Sequence, residues 1–86
     1  MRIAVTPQFR RQFKKLEPAL QEEVIEKMEL LKSHKNHARL KVHKLKGTLK
    51  GRYSFSVNYK DRVIFMYVSK QEAILLAVGD HDVYRQ

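Results

Sequence analysis

The sequence predicts an α+β domain, an antiparallel sheet with an N-terminal helical hairpin packed on one face. Three observations carry this. The run RYSFSVNY (Arg52–Tyr59) alternates, with Tyr53, Phe55, Val57 and Tyr59 on one face and Ser54, Ser56 and Asn58 on the other, as a strand with one buried side does. RVIFMYV (Arg62–Val68) and AILLAV (Ala73–Val78) are apolar on both faces, which suits central strands covered below by helices and partly above by loops. The links between these runs, Lys60-Asp61 and Ser69 to Glu72, are too short for a parallel crossover, so the three runs form a meander.

The other elements attach to that meander. Arg2 to Val5 is a short strand ending at Thr6-Pro7. Thr6 is a suitable helix N-cap, and Pro7 fits the first helical position, where no N–H is needed. Phe9, Phe13 and Leu16 recur at helical spacing, with Arg10, Arg11, Lys14 and Lys15 on the rest of the surface. Pro18 ends this helix by Glu17 and starts a second, running to about Ser33. Leu20, Val24, Met28 and Leu31 form its inward stripe, helped by Ile25, while Glu22, Glu23, Glu26 and Lys27 mark its wet side. His34 to Arg39 has no apolar period and reads as loop. Part of LKVHKLKG (Leu40–Gly47) reads as an edge strand whose lysines discourage unwanted pairing. Gly47 and Gly51 bracket a turn. Gly79 closes the last strand, and a polar tail from Asp80 follows.

The 86 residues make one domain, 1–86, with a modest core. There is no cysteine, which fits a reducing cytoplasm. There is no signal-like opening and no apolar run of about 18 residues, so no membrane span is expected. The charge is uneven. Residues 1–34 hold seven basic and five acidic groups; residues 35–70 hold ten basic groups against Asp61 alone; residues 71–86 hold one basic and three acidic groups. A basic middle third points to a polyanion or to an acidic protein partner, against the plainer alternative of solubility.

No familiar metal spacing, phosphate-binding glycine loop or nucleophile elbow is present. The residues instead suit metal-free cleavage of RNA by its own 2′-hydroxyl. That reaction needs a group to take the 2′ proton, a cation for the charge on phosphorus, and an acid for the departing 5′ oxygen. His43 stands between lysines whose charge favours its neutral, base form. Arg62 opens the second core strand and has the two-pronged geometry that suits phosphate; a surface arginine paired with an acid is the alternative. Asp80 and Asp82 favour the imidazolium of His81, a proton donor. Tyr84 can stack on a base or orient a phosphate, or simply anchor the tail. Lys41, Lys44, Lys46, Lys50, Arg52 and Lys60 are backbone contacts as a group. His34 and His37 read as solvated loop residues. Tyr53, Phe55, Tyr59, Phe65 and Tyr67 are taken first as core or sheet-face residues.

Taken together, the first strand with TPQFRRQFKKL, the second helix, HKLKG, GRYSFSVNYKDRVIFMY and a last strand closing on VGDHDVY resemble the RelE/ParE superfamily of toxins from bacterial type II toxin–antitoxin pairs, over nearly the whole chain. The resemblance implies a small curved antiparallel sheet with a helical hairpin on one side. It is nearest the RNA-cutting branch and its histidine-using YafQ-type members. His43 in HKLKG matches their histidine two residues ahead of a leucine. Arg62 matches the arginine before the second core strand, His81 the residue soon after the last strand, and Tyr84 the terminal aromatic. Ser56 and Lys60 stand near the places where YafQ-type members carry a histidine and an aspartate.

The resemblance implies an endoribonuclease that cuts messenger RNA at the ribosomal A site, with no cofactor. His43, helped by Lys44 or Lys46, would act as base, Arg62 would hold the phosphate, His81 would be the acid, and Tyr84 would orient the nucleotide. The two histidine roles are interchangeable at this stage. It also implies a cognate antitoxin, whose complex with the toxin binds operator DNA. The alternatives are a ParE-like inhibitor of DNA gyrase that cuts nothing, and a basic RNA-binding domain whose histidines do no chemistry.

Overall fold

The computed structural model describes residues 1–49, 51–80 and 83. Five strands and two helices follow in the order β1 (Arg2–Val5), α1 (Pro7–Lys14), α2 (Pro18–Leu31), β2 (His43–Lys44), β3 (Tyr53–Ser56), β4 (Arg62–Ser69) and β5 (Glu72–Gly79), with single 3-10 turns at His34–Asn36 and Gly47–Leu49. They form one sheet in the order β1-β5-β4-β3-β2. The β3-β4-β5 meander is antiparallel, as its short links require, and β2 adds to it antiparallel. β1 joins the other edge parallel to β5, a pairing the helical hairpin makes possible by crossing over one face. Among the described residues no helix is long and apolar enough to cross a membrane.

Both helices begin where the sequence places them. Thr6 Oγ1 accepts from the Phe9 N–H (3.1 Å) and donates to the Leu76 carbonyl (3.1 Å), so one hydroxyl caps α1 and fastens it to the sheet. Pro18 occupies the first turn of α2. α1 stops at Lys14, three residues before the expected end, because the Lys15 and Leu16 N–H groups turn back three residues, to the Gln12 and Phe13 carbonyls. Ile25, expected to help the inward stripe, is 52% exposed. At 3.6 residues per turn it lies one position round from buried Val24, off the stripe.

The main core lies between the hairpin and one sheet face. Phe9, Val24 and Leu31 from the helices meet Phe55, Val63, Phe65, Ala73 and Leu75 from the sheet. Among the described residues, the opposite face is covered at one end. There Ile64 and Ala77 are buried under Val83, with Leu45 and Leu76 beside them. Nearer the β4–β5 turn the same face stays open, with Met66 and Val68 exposed.

A bulge in β5 shapes this second cluster. Pairing steps from Ile64↔Ala77 to Phe65↔Leu75, leaving Leu76 unpaired, so Leu76 and Ala77 both serve the outer cluster. Beyond the end of β1, the Val78 N–H has no strand to bond; Gln12 Oε1 from α1 accepts it at 2.9 Å. Gln12→Leu strands this donor in a buried place. It is expected to cost about 1–3 kcal/mol, measured as a lower urea midpoint with an unchanged slope.

β3 ends at Ser56 rather than at Tyr59. Asn58 Oδ1 accepts from both the Lys60 N–H (2.8 Å) and the Asp61 N–H (2.7 Å), which bends the chain before the alternation expected from the sequence runs out. Val57 remains buried, but Tyr59 leaves the core face altogether and is 91% exposed.

Candidate active face

The strand register places the sequence-predicted residues on two faces. His43 pairs with Ser54, Ser54 with Ile64, and Ile64 with Ala77. Directly paired residues share a face, so this row lies on the side away from the helices. The next row is Ser56, Arg62 and Gly79, on the same side because residues two apart in a strand share a face. His43 and Arg62 therefore stand on one face. Their rows are two residues apart along β4 and two strands apart across it, roughly 12 Å between backbones. That is a span for a bound nucleotide, not for a direct hydrogen bond. Lys44 pairs with Tyr53 and belongs to the helix side, so the expectation that it assists His43 fails on the period of two.

His43 is exposed on the edge strand. Its Nδ1 lies 2.9 Å from the Lys41 carbonyl. A carbonyl only accepts, so Nδ1 carries the proton of the neutral ring, and Nε2 keeps its lone pair. Lys41 presents that carbonyl from a left-handed backbone conformation, φ 58°, which a side-chain-bearing residue adopts at some cost. The local fold thus sets one tautomer, the one whose free nitrogen is a base.

Arg62 is half-buried, and its guanidinium folds over the β3–β4 turn. Nη1 donates to the carbonyls of Asn58 and Asp61, and Nη2 to that of Tyr59 (3.1 Å). These bonds go to backbone carbonyls and not to the acid of the alternative reading. Three of its five N–H groups are spent this way; Nε–H and the second Nη2–H suit an anion. The Asp61 carboxylate is buried and accepts from Asn58 Nδ2 at 3.1 Å. The single acid of the basic segment is thereby turned inward.

Arg52, half-buried, lines a cleft of ≈ 170 Å³ with Leu49, Ile64, Leu76, Ala77 and Val83, closed on the α1 side by Thr6 and Gln8. Lys41, Lys46 and Lys60 are exposed. None of the ion pairs Arg2–Glu72, Lys27–Glu26 and Lys32–Glu29 involves a lysine or arginine from 35 to 70. Lys50, His81 and Tyr84 lie outside the described residues. β5 ends at Gly79, paired with Arg62.

Two residues were misread or missed. His37 is not solvated loop. One ring nitrogen bonds the Leu31 carbonyl (3.0 Å) and the other the Tyr67 hydroxyl (3.4 Å), with the His34 ring 4.7 Å away. It ties the end of α2 to β4 and is occupied structurally. Burial, and then the neighbouring Tyr53, raises the Tyr67 pKa, so its hydroxyl stays a donor at neutral pH. The alternation places Asn58 in a strand, whereas it makes the turn; the signal that finds it is NYKD, an Asn three residues ahead of an Asp.

No protein-family model matches the chain, and no curated protein matches it in sequence. Solved structures do match in fold. YafQ from E. coli strain BL21(DE3) superposes with a TM-score of 0.80 at 19% identity, covering 100% of both chains. A chain of the toxin–antitoxin complex RelBE2 from Mycobacterium tuberculosis gives 0.75 at 20% identity, over 93% of this chain and 96% of that one. A chain of the YoeB–YefM complex from Staphylococcus aureus gives 0.75 at 19%, over 94% and 97%. The protein has the RelE-like toxin fold expected from its motifs.

Proposed function

We propose that this protein is the toxin of a type II toxin–antitoxin pair and a metal-independent endoribonuclease acting on messenger RNA at the ribosomal A site. The observation that carries the reading is the placement of His43 and Arg62 on one open, basic sheet face, with the His43 tautomer fixed so that Nε2 is a base. The fold shared with YafQ and with the toxin–antitoxin complexes supports it.

In this reading His43 Nε2 takes the proton from a 2′-hydroxyl. The 2′ oxygen attacks the adjacent phosphorus as the bond to the 5′ oxygen breaks. The remaining N–H groups of Arg62 hold the phosphate oxygens, whose charge grows in the transition state. His81 gives its proton to the 5′ oxygen, and Tyr84 orients the nucleotide. The products are a 2′,3′-cyclic phosphate and a 5′-hydroxyl. Lys41, Lys44, Lys46, Lys50, Arg52 and Lys60 contact the RNA backbone as a group. The cognate antitoxin is an acidic or amphipathic segment that covers the basic face in the cytoplasm, and the pair together binds operator DNA.

The test is end mapping of cellular RNA during brief expression, wild type against His81→Ala. The expected result is new internal messenger ends within translated frames that vanish in the variant. Growth arrest without new ends, retained by His81→Ala, would transfer the reading to gyrase inhibition and call for a DNA-break assay.

A further inference from the structure

The β3–β4 turn is more heavily braced than a connection of its length needs. Asn58 Oδ1 takes two backbone N–H groups and its Nδ2 bonds the Asp61 carboxylate. The Val57 N–H bonds the Asp61 carbonyl at 2.9 Å. Arg62 then clamps the carbonyls of Asn58, Tyr59 and Asp61. What this scaffold holds out is Tyr59, which is 91% exposed. An aromatic ring so placed gains nothing from packing. A braced backbone that keeps it in water is a pre-organised platform, and tyrosine, with only two side-chain torsions to fix, is an inexpensive one.

Its surroundings select the partner. Lys60 is exposed beside it, and the turn's one carboxylate, Asp61, is buried. The Tyr59 carbonyl is bonded by Arg62 Nη2 at 3.1 Å, so the guanidinium lies against the backbone of the residue that carries the ring. A π face next to a phosphate-binding fork and a lysine matches one nucleotide of a single strand. Resting on the ribonuclease reading above, we infer that Tyr59 is a nucleobase-stacking residue, seating an unpaired RNA base next to the phosphate held by Arg62. The contact is tolerant of base identity, because every base has a π face.

The test is binding of a fluorescein-labelled, fully 2′-O-methylated single-stranded RNA of mixed sequence, followed by anisotropy over a range of salt. The 2′-O-methyl groups block cleavage, so binding is read alone. Tyr59→Ala is expected to weaken binding about ten-fold, and Tyr59→Phe and Tyr59→Trp to restore it. The slope of log affinity against log salt is expected to stay unchanged in Tyr59→Ala, since no phosphate contact is lost, whereas Lys60→Ala lowers it by about one. Circular dichroism melts of Tyr59→Ala are expected to match wild type. Wild type that binds while Tyr59→Ala binds equally well overturns the stacking role and leaves the nuclease reading standing. A weakened Tyr59→Ala with an altered salt slope or a lowered melt also overturns it, because the residue would then act through the turn. A wild-type chain that binds no free RNA overturns the stacking role, while the A-site nuclease reading is still decided by the end mapping of translated messages.

Discussion

His43→Ala is expected to slow RNA cleavage by about two to four orders of magnitude, the range for loss of a positioned general base. The loss should appear in the single-turnover rate, with RNA affinity close to wild type. His43 sits on a two-residue edge strand, exposed, and its ring bonds the Lys41 carbonyl at the surface. Removing the ring opens no cavity and strands no buried donor, so the melting temperature is expected to move little. His43→Gln discriminates further. It keeps a polar side chain of similar reach but has no group that takes a proton near neutral pH, so it should be as slow as His43→Ala. Single-turnover cleavage of a defined oligonucleotide or of ribosome-bound message checks both variants. Near-normal rates in either would remove His43 from the proton-transfer step.

Phe65→Ala is the largest expected loss of stability. Phe65 is fully buried, and its ring lies 5.7 Å from Tyr53, 5.8 Å from Phe55 and 5.3 Å from Tyr67. It is the common neighbour of that aromatic cluster, on a central strand paired on both sides. Truncation should cost about 3–5 kcal/mol. A domain of this size has on the order of 4–13 kcal/mol in total, so the variant is expected to be largely unfolded or molten at body temperature. Urea denaturation at low temperature, followed by near-ultraviolet circular dichroism of the tyrosines, measures it. A cooperative transition within 1 kcal/mol of wild type would contradict the packing described here.

Local chemistry was legible in the sequence, and long-range register was not. Thr6-Pro7 and Pro18 mark the helix starts because capping and the missing proline N–H act within one turn. The helix and strand ends overshoot for a reason of the same kind. Apolar spacing continues through Leu16 and Tyr59, but Lys15 and Asn58 turn the backbone first, through hydrogen bonds that a periodicity does not register. Which face His43 shares, and that Lys44 does not share it, depends on the pairing of His43 with Ser54. A one-residue slip would exchange the two. Likewise His37 is read as loop because its partner Tyr67 lies thirty positions away in sequence.

The parallel seam between β1 and β5 carries a temporal consequence. Ile3 aligns with Ala73 and Val5 with Leu75, so the first strand made waits for the last. Contacts of such long separation form late and slowly. During synthesis the helical hairpin and the early strands emerge without the strand that separates β1 from β4. Gly79, the register partner of Arg62, arrives later still. A nascent chain thus lacks the assembled face until nearly all of it has left the ribosome. Under the ribonuclease proposal, the order of chain growth would keep the nascent chain from cutting the message that encodes it.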